Sequence, residues 1–289
     1  MPISLEPLPL MLGLAHVALG IVVLIVAKFA KDFLSPYSMD QELTSKDNPA
    51  FGLAVAGYYA GIVVVYLGAS RSEGLPADAG SDALLKALGV DLAWSVAGIA
   101  ALAVAHWLME RFLIPGVRTS AEIIEHRNIA AGVVEGGIYL ATALAFGGAL
   151  SQTGGSILSS AVFLVLALVI LLIFGRAYQM LAGYNVAQEI RQANFAAGIP
   201  LGLMLVALSL LLVKATSGDF VDWPTNLSYF AFDAAAGFIL LMVMRWVVDL
   251  ALLPSARIQE EIVRDRNVNV GLVEGVLAIA VAAIVLFRF

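Results

Sequence analysis

The sequence predicts an all-α polytopic integral membrane protein with eight transmembrane helices. Of its 289 residues, 61% are hydrophobic and only 13% are charged, and the mean hydropathy is +0.93. Roughly a quarter of the residues in soluble domains are charged, so this composition is typical of a membrane protein. Eight apolar runs are long enough to cross a bilayer as helices, for which about 20 residues are needed. These runs lack the period-two alternation of a lipid-facing barrel, which argues against transmembrane strands.

The apolar runs define the eight spans in chain order. We predict them at residues 9–29, 49–70, 87–112, 128–150, 156–176, 194–214, 227–251 and 268–288. Pro115 and Pro254 are expected to end the third and seventh spans, because proline interrupts a helix. Two loops on one side stand apart: residues 71–86 are rich in Gly, Ser, Asp and Pro, and residues 215–226 contain a tryptophan suited to the membrane interface. The loops on the other side (SMDQEL, TSAEII, NVAQEI and IQEEIV) predict short amphipathic helical turns at the membrane surface.

A fourfold internal repeat organises the chain. Each repeat has an asparagine, a glycine four residues later and a small residue four beyond that. The four instances are Asn48/Gly52/Ala56, Asn128/Gly132/Gly136, Asn194/Gly198/Gly202 and Asn267/Gly271/Gly275. On a helix these offsets turn by only about 40° and 80°, so each trio predicts a narrow stripe along which helix backbones can touch. An acidic and an aliphatic residue precede each asparagine: Glu42-Leu43, Glu122-Ile123, Glu189-Ile190 and Glu261-Ile262.

The second and fourth repeats resemble each other most, which gives the order ABAB. At a constant offset of 139 residues, His106 aligns with Arg245, Glu110 with Asp249, and Glu135 with Glu274. We therefore predict two halves, 1–150 and 151–289, each with four spans. Because the motif recurs after an even number of spans, the halves are expected to be parallel repeats, unlike the inverted repeats of many transporters.

Tandem two-helix units that carry this motif resemble the YjfL-type family, a bacterial inner-membrane group catalogued as a domain of unknown function. The best matches are Gln188-Glu189-Ile190 with 194–198 (NFAAG), and 128–132 (NIAAG). The sequence departs from the pattern at Pro49 and at 268–270 (VNV). The resemblance covers nearly the whole chain and implies a bacterial inner-membrane location and a repeat architecture. It implies no particular activity.

Lysine and arginine are distributed unequally between the two sides of the predicted bundle. Eleven lie in or near the loops that precede the asparagines, against four on the other side. The positive-inside rule therefore predicts that the motif loops face the cytoplasm and that both termini are periplasmic. Residues 1–13 contain no basic residue, so we expect the first span to be retained rather than removed as a signal peptide.

Ionisable residues inside spans are the default candidates for function, because they are costly in hydrocarbon. Glu135 and Glu274 lie seven residues after their asparagines, about 10 Å deeper along the helix. His106 and Arg245 are expected at comparable depth on the preceding helices. With Glu110, Asp249 and Asp233 they form our predicted ion or proton path. The other interpretation is a packing ion pair between Arg245 and Glu274, and this alternative stays open.

Four further sets of residues have mainly structural interpretations. Asp91 and Asp233 are expected to be first-turn acids favoured by the helix dipole, with Asp233 the deeper candidate for a site. His16 is interpreted as a hydrogen-bonded packing residue. The glycines are interpreted as packing devices, and the asparagines either cap helices or bond to a neighbouring loop, with a ring of amides around a pore mouth as the alternative.

The sequence carries no recognisable catalytic, nucleotide-binding or metal-ligand motif, and it has no cysteine. We therefore expect neither an enzyme nor a cofactor or metal site, and no nucleic-acid partner. The favoured function is movement or sensing of protons or small cations at Glu135 and Glu274. The alternative is a non-catalytic scaffold or adaptor whose motif loops recruit a cytoplasmic protein in envelope maintenance. The lipid bilayer is the expected environment, and exposed glycine stripes could build a homodimer.

Overall fold

The computed structural model describes residues 7–70, 81–252 and 257–288, and helices dominate all three ranges. Within them, eight helices are long and apolar enough to cross a membrane, which confirms the all-α polytopic membrane fold. These eight helices are α1 (Pro7–Leu34), α2 (Pro49–Ala69), α3 (Ser81–Phe112), α5 (Ile129–Leu150), α6 (Ile157–Leu181), α8 (Phe195–Thr216), α9 (Trp223–Val247) and α11 (Val268–Arg288). A short π-helical stretch, Val248–Leu252, continues α9. Pro254 lies outside the described residues.

Four short segments connect the helices at one end of the bundle, which we call the motif end. They are the π-helical segment Gln41–Ser45 and the helices α4 (Thr119–His126), α7 (Val186–Arg191) and α10 (Ile258–Val263). Each is followed by a residue with left-handed backbone immediately before the motif asparagine. These residues are Asp47, Arg127, Ala193 and Arg266, with φ between 45° and 53°. The repeat is therefore visible in backbone conformation, and the predicted surface turns are confirmed as helical.

At the opposite end, two helices start earlier than the apolar runs indicate. α3 begins at Ser81 and α9 at Trp223. Asp222 caps α9 by accepting a 2.8 Å bond from the Thr225 amide, which lowers the pKa of Asp222, and proline follows the first helical residue. The interpretation of Asp91 and Asp233 as first-turn acids is therefore wrong, because both lie in the third turn. At this same end, two short strands, β1 (Gln152–Thr153) and β2 (Gly218–Asp219), pair in parallel.

The four motif helices lie side by side in the order α2, α5, α8, α11. Glycine allows this close approach. A Cβ added to Gly198 would lie 2.6 Å from the carbonyl oxygen of Ala130, and one added to Gly271 would lie 2.6 Å from that of Ala196. Gly132 meets the Ala50 carbonyl in the same way. The predicted packing role of these stripes is therefore seen at three of the four motif glycines.

The remaining long helices form a second layer over the grooves of this row. α3 contacts α2 and α5, α6 contacts α5 and α8, and α9 contacts α8 and α11, while α1 contacts α2 and α3. The inner helices α5 and α8 are largely buried, whereas α2 and α11 at the two ends of the row are more exposed. Each groove between neighbouring motif helices therefore receives one covering helix, and this arrangement positions the charged residues inside the bundle.

Candidate functional site: two buried carboxylate clusters

The first cluster surrounds Glu135, which projects from the second turn of α5. Its Oε1 lies 3.9 Å from Nζ of Lys31 on α1 and 4.0 Å from Nε2 of His106 on α3. Lys31 also donates a 2.5 Å hydrogen bond to the hydroxyl of Tyr139, and the His106 ring stacks on the Tyr139 ring with centroids 4.8 Å apart. Glu135 is only 2% exposed. A carboxylate, two potential cations and a phenol thus share one buried space.

The second cluster surrounds Glu274 on α11, which is fully buried. Its Oε1 lies 3.6 Å from Nε of Arg245 on α9 and accepts a 3.4 Å hydrogen bond from the hydroxyl of Tyr178 on α6. The Arg245 guanidinium lies over the Tyr178 ring, 5.0 Å from its centroid, and donates a 2.9 Å bond to the Ala182 carbonyl. The buried hydroxyl of Tyr184 has no hydrogen-bond partner among the described residues.

The two clusters are built from equivalent positions. Each acid comes from a motif helix, and one neighbour, His106 or Arg245, comes from the covering helix of the same repeat. The other neighbour comes from the covering helix of the preceding repeat. Lys31 and Tyr178 stand in this position, 147 residues apart, the same offset that relates Tyr37 to Tyr184. The structure therefore brings together the predicted pairs Glu135 with His106 and Glu274 with Arg245.

Tyr139, Tyr178 and Lys31 are cluster residues that the sequence analysis does not single out, and Lys31 is the charged one among them. It was counted only as a positive charge near the end of a span, although the offset of Tyr37 to Tyr184 aligns it with Tyr178. Its presence makes the two clusters more alike in charged side chains. Each cluster holds one lysine or arginine, Lys31 or Arg245, and the first adds a histidine.

Both clusters contain polar atoms that the described protein does not satisfy. Oε2 of Glu135 and Oε2 of Glu274 have no hydrogen-bond partner among the described residues, and neither do Nδ1 of His106 and Nη1 of Arg245. A buried polar atom without a partner costs about 1–3 kcal/mol, and more if it is charged. Unpaired buried polar atoms in a native structure call for a specific explanation, such as a functional role, a bound ion or water.

Glu110 and Asp249 lie next to these clusters but bond elsewhere. Glu110 accepts a 3.1 Å hydrogen bond from the Ser120 amide, and Asp249 accepts a 3.0 Å bond from the Ile258 amide. Both therefore hold the first turn of the following short helix, α4 or α10. Asp32 holds the first segment in a similar way through the Met39 amide at 2.8 Å. These contacts give Glu110 and Asp249 an anchoring role that the sequence prediction did not include.

Asp233 lies about three helical turns before Arg245 on α9, and therefore away from both clusters, toward the end of the bundle opposite the motif end. It forms an ion pair with Lys214 on α8, with distances of 3.1 and 3.2 Å. In the first half, Asp91 instead faces His16 at 3.7 Å, and His16 also contacts the Leu12 carbonyl at 2.9 Å. The hydrogen bond of His16 agrees with its interpretation as a packing residue.

The motif asparagines connect neighbouring repeats. The side-chain amide of each of the first three donates to a carbonyl in the next short segment. The bonds are Asn48 to Ile123 at 2.9 Å, Asn128 to Ile190 at 2.6 Å and Asn194 to Ile262 at 2.8 Å. All four amides also donate to the glutamate of their own segment, Glu42, Glu122, Glu189 or Glu261. Asn48 and Asn128 additionally cap their helices. These bonds agree with the structural interpretation of the asparagines.

Comparison with known proteins places the chain in a family without an assigned activity. It is similar to a UPF0719 transmembrane protein of Aquifex aeolicus (strain VF5), with 24% identity over 270 residues that cover 91% of this chain and 94% of the relative. No solved structure matches the chain. The model of the family described as Domain of Unknown Function (DUF350) matches twice, over residues 5–150 and 152–287. This result confirms the resemblance to a YjfL-like family of unknown function, and the chain belongs to the DUF350 family.

Proposed function

We propose that this membrane protein moves protons or small cations through the buried carboxylate clusters at Glu135 and Glu274. The observation that carries the proposal is the unpaired Oε2 atom in each carboxylate, in a side chain that is at most 2% exposed. A carboxylate with a free oxygen in a low-dielectric interior has a strong tendency to take up a proton or a cation. Such a group is suited to binding and releasing positive charge.

The distances within the clusters favour this proposal over a purely structural ion pair. A charge-assisted hydrogen bond between nitrogen and carboxylate is typically about 2.7–2.9 Å long. The cations face Glu135 and Glu274 at 3.6–4.0 Å. Elsewhere the same chain forms a tight pair, between Lys28 and Asp32 at 2.7 Å. Loosely held acids leave their second oxygen available, whereas a packing pair is expected to use it.

We further propose that the motif end faces the cytoplasm of a bacterial cell and that the protein lies in the inner membrane with both termini periplasmic. The support is the excess of basic residues in the motif loops, eleven against four. In this orientation the clusters lie nearer the cytoplasmic side, because the acids are seven residues beyond the motif asparagines.

The adaptor alternative needs glutamates that are exposed beside an apolar patch at the motif end. Glu42 is 1% exposed and Glu189 is 8% exposed, and both accept bonds from their motif asparagines. These two side chains are therefore engaged within the protein. No specific observation favours recruitment of a cytoplasmic partner, so ion movement is the function we carry forward.

The test is proton and cation flux in proteoliposomes. We expect wild-type protein to give flux above that of empty vesicles, and the double variant Glu135→Gln/Glu274→Gln to lose it. The variant Glu260→Gln is a matched control, because Glu260 is an exposed acid at the motif end, with a side chain that is 53% exposed. Equal flux in wild type and the double variant, or no flux in wild type, would contradict the proposal.

A further inference from the structure

The three interfaces within the motif-helix row are copies of one another. In each, the motif glycine of one helix packs on the carbonyl of the residue two positions after the asparagine of the preceding helix. Gly132 packs on Ala50, Gly198 on Ala130 and Gly271 on Ala196. In each, the earlier asparagine also donates to the short segment that follows. The two surfaces that meet at each interface therefore differ from each other, and the same pair of surfaces meets three times along the row.

The two ends of the row present unused halves of this interface. At the α2 end, a Cβ added to Gly52 would meet nothing within 4 Å. The carbonyl of Leu43, which corresponds to that of Ile123, receives no asparagine amide from the described residues. At the α11 end, the amide of Asn267 donates to Glu261 at 2.8 Å but to no carbonyl of another repeat in the described chain. Asn269, which corresponds to Ala50, is exposed.

The α2 end also contains an open groove of the right form. Within the row, each of the first three motif helices contacts both the covering helix and the motif helix of the next repeat. For example, α2 contacts α3 and α5, and α8 contacts α9 and α11. The corresponding place between α1 and α2 is a largely apolar groove. Its lining includes Ile21, Ile25, Phe29, Tyr59, Ala60 and Val63. The lining also includes Lys28, which is paired with Asp32. The exposed face of α11 is likewise apolar beyond Asn269, with Leu272, Val273 and Val276.

We propose that the groove between α1 and α2 binds α11 of a second copy of this chain, head to tail, so that the motif-helix row continues from one molecule to the next. Gly52 of one copy then packs on the Asn269 carbonyl of the other, and Asn267 of that other copy donates to the Leu43 carbonyl. The occupant follows from continuity with three established interfaces. Because the contact is heterologous, repeated association gives a ring if the rotation closes and a chain of molecules if it does not.

The absence of native cysteine makes a direct test simple. Within the row, Gly137 approaches Gly202, and the equivalent positions at the two ends are Val276 and Ala56, both exposed. Differently tagged Ala56→Cys and Val276→Cys chains, reconstituted together and oxidised, are expected to form a mixed disulfide dimer. Each variant alone should crosslink weakly. A mixed yield no higher than that of the single variants would overturn the proposal, because a head-to-tail contact requires this pair.

A second variant separates association from folding. Gly52→Leu, introduced into the Ala56→Cys chain, places a large side chain where the isolated molecule has open space. The monomer should therefore fold, and its crosslinking to Val276→Cys partners should fall severalfold. Gly89→Leu is the matched control, because Gly89 also has open space around it and lies away from the groove. Crosslinking that survives Gly52→Leu unchanged would overturn the proposed glycine contact. Neither measurement depends on ion movement, so this inference and the proposed function can fail separately.

Discussion

Lys31 and Glu135 face each other across two repeats, with Nζ of Lys31 3.9 Å from Oε1 of Glu135. α1 is a second-layer helix of the first repeat and α5 is the motif helix of the second, so the contact connects the two repeats. In the other half, Tyr178 provides the equivalent connection to Glu274. Each buried acid therefore contacts covering helices from two consecutive repeats.

Removal of Lys31 is expected to destabilise the first cluster. Lys31→Met leaves Glu135 beside His106 alone, and removing one partner of a buried ion pair typically costs about 3–5 kcal/mol. We expect a lower midpoint of thermal unfolding in detergent. The double variant Lys31→Met/Glu135→Gln should recover much of the loss, because no uncompensated charge remains. Equal destabilisation in the single and double variants would show that Lys31 acts through packing alone.

The sequence was sufficient to predict the membrane helices, the packing stripes and two of the three charged contacts. Hydrophobic length and glycine spacing determine these features locally. Lys31 could not be recognised in the same way, because its role depends on how α1 lies relative to α5, the motif helix of the next repeat. The start of α9 was also missed, since Asp222 and Pro224 begin a helix within a stretch that reads as a polar loop.

The motif glycines should differ in their tolerance of a side chain. Gly198→Ala places a Cβ 2.6 Å from the Ala130 carbonyl oxygen, so the two helices must move apart. Overpacking of this kind typically costs about 1–3 kcal/mol. Gly52→Ala is the matched control at the same motif position, with open space around it, and should leave unfolding of the monomer unchanged. Equal effects of the two substitutions would contradict the close approach of α5 and α8.

The asparagines should differ in a similar way. Asn194→Ala removes a 2.8 Å bond to the Ile262 carbonyl and leaves the Glu189 carboxylate, which is 8% exposed, without its amide donor. The expected loss is about 1–3 kcal/mol of unfolding free energy. Asn267→Ala removes the bond to a partly exposed Glu261 and the 3.1 Å bond that Asn267 Oδ1 accepts from the exposed Asn269 amide, but no described bond to another repeat, so its effect on the monomer should be smaller. Chemical unfolding of both variants at low protein concentration in detergent makes the comparison, and a larger loss for Asn267→Ala would contradict it.

The residue before each asparagine offers a route to stabilisation. Ala193 has φ of 53°, in the left-handed region, where a residue with a Cβ is disfavoured by about 1–2 kcal/mol. Its side chain is exposed, so glycine loses little packing there. We expect Ala193→Gly to raise the midpoint of thermal unfolding and Ala193→Val to lower it, because a branched side chain is least compatible with this conformation.

The same pair of substitutions at Ala187, within helix α7, is the control. There glycine should be destabilising, since it has a poorer helix propensity than alanine. A lower unfolding midpoint for Ala193→Gly would show that the left-handed turn is not retained in the folded protein.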